Sequence, residues 1–271
     1  MGNATVLTAI HANGIATLTL NRPQVHNAFD DQLIAELTAE LRKLNDNSKV
    51  RAVVLAANGK SFCAGADLKW MKRMARYSEA ENIKDALGVA ELMFTLNTLN
   101  KPTIARIQGP AFGGGVGLVA ACDIAVATRD AVFSLSEVRL GLIPAVISPY
   151  VVAAIGEHYA RRYFLTGERF DVAEAFRIGL IHDLVEAEAL DETIAVMLQH
   201  LLSGGPHGIS AAKQLIVDVA HAPLDRSLME KTARLIAAVR AGKEGREGVA
   251  AFLEKRNPAW IDALKTGKAK K

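Results

Sequence analysis

Two glycine-rich turns, Ser61-Phe62-Cys63-Ala64-Gly65-Ala66-Asp67 and Gly109-Pro110-Ala111-Phe112-Gly113-Gly114-Gly115, each follow an apolar strand-like run and precede a helix-like run. A turn so placed leaves unpaired backbone N–H groups at a helix N-terminus, where negative charge is stabilised. Two such groups aimed at one point would hold an oxyanion, and removing one donor of this kind costs about 10²–10³ in rate. Glycine lets backbone and ligand approach closely. Asp67 stands where an N-cap belongs, so its carboxylate reads as a helix cap ahead of any catalytic duty.

The elements that must position these turns follow from the hydrophobic pattern. Residues 6–10 and 15–20 read as strands joined in a hairpin, with Gly14 supplying the turn. Asp30 or Asp31 can cap a helix whose Leu33, Ile34, Leu37, Leu41 and Leu44 follow helical spacing. The run 52–56 is apolar throughout, as suits a strand covered on both faces. Leu68, Met71 and Met74 mark a helix after Asp67, residues 76–85 read as a polar, mobile stretch, and 90–99 read as a helix ended by Lys101-Pro102. Strands are expected at 103–107, 124–127 and 131–133, with a small-residue helix running from the second turn to Ala121. Past Ser148 the pattern is helical, near 150–155, 160–165, 172–178 and 188–202. After the break Ser203-Gly204-Gly205-Pro206, further helices are expected near 208–221, 224–239 and 245–255. The expected organisation is an α/β core at 1–205 and a helical C-terminal region at 206–271.

The bulk composition is that of a globular chain: 271 residues, 50% hydrophobic and 23% charged. A net charge of +3 is too small to argue for nucleic acid or a membrane surface. The basic end Lys265-Thr266-Gly267-Lys268-Ala269-Lys270-Lys271 reads as a solvated tail. Cys63 and Cys122 are the only cysteines and show no metal-ligand spacing, so no metal or disulfide is expected and a reducing compartment fits. With no signal pattern and no apolar run of membrane-spanning length, a cytoplasmic location is expected.

At the two turns the chain resembles the crotonase, or enoyl-CoA hydratase/isomerase, superfamily. The likeness continues through Leu20-Asn21-Arg22-Pro23, Asn27-Ala28, Lys101-Pro102, Cys122-Asp123-Ile124, Phe133 with Glu137, Leu165-Thr166-Gly167, Ala175 with Gly179-Leu180, and Phe252-Leu253-Glu254-Lys255-Arg256. Their order and spacing together are highly specific. The resemblance implies a spiral of repeated ββα units with a C-terminal helical oligomerisation region, assembled as a homotrimer or homohexamer. It also implies an acyl-CoA substrate, with coenzyme A part of that substrate and no separate cofactor. The thioester oxygen would be held by the N–H groups of Ala66 and Gly114. Gln24, Val25, Ala64, Asp67, Leu68 and Trp70 would line the substrate channel, and Lys255 would approach the CoA phosphates.

Glu137 matches one of the two glutamates that the family's hydratases use, and its apolar neighbours Phe133, Leu135, Val138 and Leu140 favour a raised pKa. The other glutamate is absent: Gly117 stands at its place. Glu137 then acts alone, another residue reaches in, a substrate carboxylate helps, or the reaction needs one base only. The stretch Pro144-Ala145-Val146-Ile147-Ser148-Pro149 is similar to that of bacterial methylglutaconyl-CoA hydratases. Hydration of 3-methylglutaconyl-CoA or a related branched enoyl-CoA is therefore expected, in leucine, isovalerate or acyclic terpene breakdown. Such a dicarboxylic acyl group calls for a cation or amide donors at its far end; Lys69, Lys72 and Arg73 fit either that role or a solvated helix face. The rival readings are an isomerase or decarboxylase of the same fold and a non-catalytic acyl-CoA- or RNA-binding homologue. The weak charge and scarce aromatics give RNA no positive support.

Overall fold

The computed structural model describes residues 4–261. The basic tail and the end of the expected C-terminal region lie outside them. Among the described residues there are nine strands: β1 (Val6–Ile10), β2 (Ile15–Leu20), β3 (Ala52–Ala57), β4 (Thr103–Ile107), β5 (Ala111–Phe112), β6 (Ile124–Thr128), β7 (Val132–Ser134), β8 (Arg169–Asp171) and β9 (Asp183–Val185). The helices are α1 (Asp31–Asp46), α2 (Leu68–Met74), α3 (Glu79–Asn97), α4 (Gly114–Ala121), α5 (Ser148–Thr166), α6 (Val172–Arg177) and α7 (Leu190–Ser203), then α8 (Pro206–Val219), α9 (Arg226–Ala241) and α10 (Lys243–Leu253).

A six-stranded sheet runs β1-β2-β3-β4-β6-β9, with β1 antiparallel to β2 and every other pair parallel. Gly14, at φ +82°, makes the β1–β2 turn. Strand β3 is buried along its whole length because its alternate side chains serve two cores. Val53 and Leu55 join the main core with α1 and α3, while Ala52 and Val54 pack with Leu190, Ile194 and Leu198 of α7. A second sheet, β5-β7-β8, forms at the second glycine turn.

Three expectations need correction. The stretch 76–85 is ordered helix from Glu79 onward: Ser78 accepts from the Glu81 N–H while the Glu81 carboxylate accepts from Ser78, a capping box that starts α3 well before residue 90. In α2 the deeply buried side chain is Trp70, and Leu68 is 76% exposed. The helices expected at 150–155 and 160–165 form one element broken at Gly156, where φ is +71°.

Helices α8 and α9 bury no residue within the chain. The region is tied to the core by Lys213 Nζ on Asp123 Oδ2 at 2.8 Å, and the break just before α8 is held by Arg51 Nη2 on the Gly204 carbonyl at 2.8 Å. Internally, Glu244 accepts from the His207 and Gly208 N–H groups. Large apolar side chains stay open to solvent, among them Ile216, Met229, Ile236 and Phe252.

Candidate active site

Ala66 is framed by two hydrogen bonds from a neighbouring loop. Phe29 N–H donates to the Gly65 carbonyl at 2.6 Å, and Asp67 N–H donates to the Phe29 carbonyl at 2.8 Å, a parallel pairing of Phe29 with Ala66. Such a pairing engages the groups on either side of Ala66 and turns Ala66's own N–H away. The turn is stitched to the second glycine turn: Phe62 and Cys63 N–H donate to the Pro110 carbonyl at 3.0 and 3.2 Å, and Phe112 N–H donates to the Cys63 carbonyl at 2.9 Å.

The second turn reverses at Gly113, whose φ of +49° disfavours any side chain. Its N–H donates to the Ser134 carbonyl at 2.9 Å, and its carbonyl accepts from Val116 and Gly117 at 2.9 and 3.2 Å, which starts α4 at Gly114. The Gly114 N–H is therefore one of the unpaired donors of a helix N-terminus. Gly114 also has to be glycine for space, since a Cβ there would lie 2.4 Å from Phe29 Cε2. Among the described residues, neither the Ala66 nor the Gly114 N–H has a protein acceptor. Both residues line one cavity of about 590 Å³, together with Phe29, Trp70, Val89 and residues 141–147.

Glu137 lies in a short 3-10 turn, Ser136–Leu140, just after β7. Its Oε1 is 3.0 Å from where a Cβ on Gly113 would sit, so the carboxylate rests against the residue preceding Gly114. Its Oε2 is buried and has no hydrogen-bond partner among the described residues. Burial pushes this carboxyl above its ordinary value. An unpaired buried oxygen with a raised pKa is the condition of a group kept ready to take and return a proton.

Gly117 is buried in α4 and its surroundings are closed. A Cβ there would lie 2.3 Å from Ile147 Cγ2 and 3.2 Å from Met93 Cε. The place of the absent carboxylate is filled by hydrocarbon.

The remaining sequence-predicted residues divide. Trp70 lines the cavity, 4% exposed, and its Nε1 donates to Asp85 Oδ1 at 3.0 Å. Asp67 caps α2, its Oδ1 accepting from Lys69 and Trp70 N–H, while Oδ2 takes Arg22 Nη2 at 2.9 Å. Burial alone would raise its pKa, but these donors hold it below the usual value, so its side chain is committed to the turn. Gln24 and Leu68 are exposed, and Val25 and Ala64 half-buried, with Ala64 N–H on the His26 carbonyl at 3.0 Å. Lys255 is exposed beyond α10 and does not line the cavity. Lys69, Lys72 and Arg73 do not line it either; Lys72 and Arg73 border a separate depression, and Arg73 pairs with Asp31. Cys63 and Cys122 are buried thiols, both pushed up to about 12 by desolvation. Among the described residues no cluster of His, Cys, Asp or Glu suits a metal ion.

Sequence reasoning missed Phe29, Asp85 and Ile147. The Ser78-x-x-Glu81 capping box was the available signal for Asp85, since it places that residue on a helix; Phe29 and Ile147 reach the site through tertiary packing, which no local pattern marks.

Residues 11–263 match the family model for enoyl-CoA hydratase/isomerase. The (E)-benzylidenesuccinyl-CoA hydratase of Thauera aromatica is 32% identical over 254 residues, spanning 93% of this chain and 97% of its own. The 2,3-dehydroadipyl-CoA hydratase of Escherichia coli is 31% identical over 245 residues, spanning 90% and 94%. A crystal structure of an enoyl-CoA hydratase from Shewanella pealeana matches with a TM-score of 0.92 at 42% identity, covering 94% of this chain and 96% of that one.

Proposed function

The chain belongs to the enoyl-CoA hydratase/isomerase family and has its mixed α/β fold with a helical C-terminal region, and we propose that it adds water across the 2,3 double bond of a branched enoyl-CoA with Glu137 as its one proton-handling carboxylate. The observation that carries this reading is the meeting of two acceptor-free N–H groups, Ala66 and Gly114, in one cavity, with the Glu137 carboxylate, one of whose oxygens is buried and unpaired, held through the other against the same turn. In the reaction the thioester oxygen accepts from both N–H groups. Water gives a proton to Glu137 as its oxygen bonds to C3, and negative charge moves to the thioester oxygen as the enolate. Glu137 then returns the proton to C2, which restores the carboxylate and leaves a 3-hydroxyacyl thioester. The two amides act chiefly on the enolate, where charge has developed, and they need no reorganisation to do so.

For the acyl group two readings compete, and the stretch 144–149, of which residues 144–147 line the cavity, supports the dicarboxylic one, 3-methylglutaconyl-CoA. The charge of the lining supports the other, an uncharged branched chain, because among the described residues no Lys or Arg borders the cavity and Asp85 does. Gln24, Val25, Ala64 and Leu68 would flank the CoA moiety, and Lys255 would meet its phosphates after assembly. The unburied faces of α8 and α9 support residues 206–271 as an oligomerisation region for a trimer or hexamer. Among the described residues no helix is long and apolar enough to cross a membrane.

Turnover on a panel of 3-methylglutaconyl-CoA, 3-methylcrotonyl-CoA, crotonyl-CoA and a 3-enoyl-CoA, scored by product mass, tests the proposal. A product heavier by one water from a 2-enoyl substrate is expected. Isomer formation alone would point to the one-base isomerase, carbon dioxide loss to the decarboxylase, and binding without turnover to a non-catalytic acyl-CoA carrier.

A further inference from the structure

We propose that Asp85 is a specificity-determining residue that disfavours acyl groups carrying an ionised far end. The inference rests on the reading of the cavity as the acyl site and decides between the two acyl readings in favour of branched enoyl chains without a second carboxylate.

The cavity wall is built from aromatic and aliphatic side chains, and among the described residues Asp85 is the one charged side chain lining it. Its position is fixed rather than chosen by solvent. The indole of Trp70, itself buried in the wall, donates Nε1–H to Asp85 Oδ1 at 3.0 Å. That bond uses the only donor an indole has and one of the two carboxylate oxygens. Asp85 also borders a second groove of about 660 Å³ between α1 and α3, which Arg42 and Lys84 share with Asp31, Glu81 and Glu91. Those two cations lie on the groove and not on the acyl cavity, and Arg42 is paired with Glu91. Within the cavity, then, an acyl carboxylate meets a fixed negative charge and, among the described residues, no Lys or Arg to offset it. A neutral branched end meets hydrocarbon. A hydroxyl or amide N–H at the far end would find an acceptor in the same carboxylate.

The test compares binding of two saturated ligands of matched branching, isovaleryl-CoA and 3-methylglutaryl-CoA, to the full chain and to Asp85→Asn. Asparagine keeps the shape and can still accept from Trp70 through its carbonyl, so folding is preserved, and a thermal melt checks it. The wild type should bind isovaleryl-CoA roughly tenfold more tightly than 3-methylglutaryl-CoA, the scale of one like-charge contact in a partly screened site. Asp85→Asn should bring the two within about threefold, chiefly through tighter binding of the dicarboxylic ligand. A wild type that prefers the dicarboxylic ligand, or a ratio unmoved by the variant, would overturn the assignment while leaving the acyl-site reading in place. Failure of both ligands to bind would overturn that reading and the assignment with it.

Discussion

Gly117 and Ile147 occupy adjoining halves of one closed volume: Ile147 Cγ2 lies 2.3 Å from where the first side-chain atom at position 117 would be placed. Restoring a glutamate at 117 alone is therefore not a route to a second catalytic carboxylate. Gly117→Glu should destabilise the fold by about 1–3 kcal/mol from overpacking, and more for the buried charge. Pairing it with Ile147→Ala opens the space and should recover much of that loss. Thermal melts of the two variants check this; an unaltered melt for Gly117→Glu would mean that Ile147 moves freely.

Glu137→Gln should lower hydratase turnover about 10²–10⁴-fold while leaving acyl-CoA binding near its wild-type value, as read from a kcat against KM comparison. The pH dependence follows from the raised pKa. Burial makes the folded state hold this proton more tightly than the unfolded chain does. The associated stability is complete below the ordinary carboxylate value of 4.5 and is lost as pH rises through the higher folded value. The glutamine variant lacks this loss, so at neutral pH it should melt above the wild type, and the gap should close in acid. In kcat/KM the acid limb should lie above pH 4.5 and vanish in the variant.

Gly114→Ala should be the most costly small change in the oxyanion turn. Its Cβ would fall 2.4 and 2.7 Å from Phe29 Cε2 and Cδ2, so either the ring or the Gly114 N–H must shift. A displaced donor should cost about 10²–10³ in kcat. Adding Phe29→Leu removes the ring and should restore part of the rate; steady-state kinetics on both variants decide whether the loss is geometric.

The apolar faces of α8, α9 and α10 should be covered in solution by further copies of the chain. Multi-angle light scattering should report a trimer or hexamer. A double change, Ile216→Asp with Ile236→Asp, should release monomer, since both side chains are about half to two-thirds exposed within one chain and carry no core packing there. A wild-type monomer would remove this role from residues 206–271.

Much of this molecule could be read from local patterns. The five leucine and isoleucine positions expected on α1 are all buried, and β1, β2 and β4 fall where alternation and apolar runs put them. The lapses share one physical origin, the weakness of short or non-local signals. A seven-residue helix such as α2 has too few turns for its stripe to distinguish Trp70 from Leu68. The start of α3 carries polar residues with Ile83 and Leu87 exposed, so only its capping box announces it. Strands β8 and β9 span three residues each and exist through pairing with distant β7 and β6. At the site, the glycine turns and Glu137 were legible because backbone freedom and acidity are properties of single residues. The plugging of position 117 by Ile147 was not, because it depends on where α5 begins relative to α4.

The bonds that join residues 62–63 to Pro110, and Phe112 back to Cys63, have a mechanical consequence. They weld the two amide-bearing turns into a single rigid part made from remote stretches of chain. Trp70 and Met74 of α2 and Asp85 and Val89 of α3 line the acyl chamber without taking part in those bonds. Substrate preference is thereby free to drift through mutation on one side of the chamber while the catalytic gauge on the other side stays fixed.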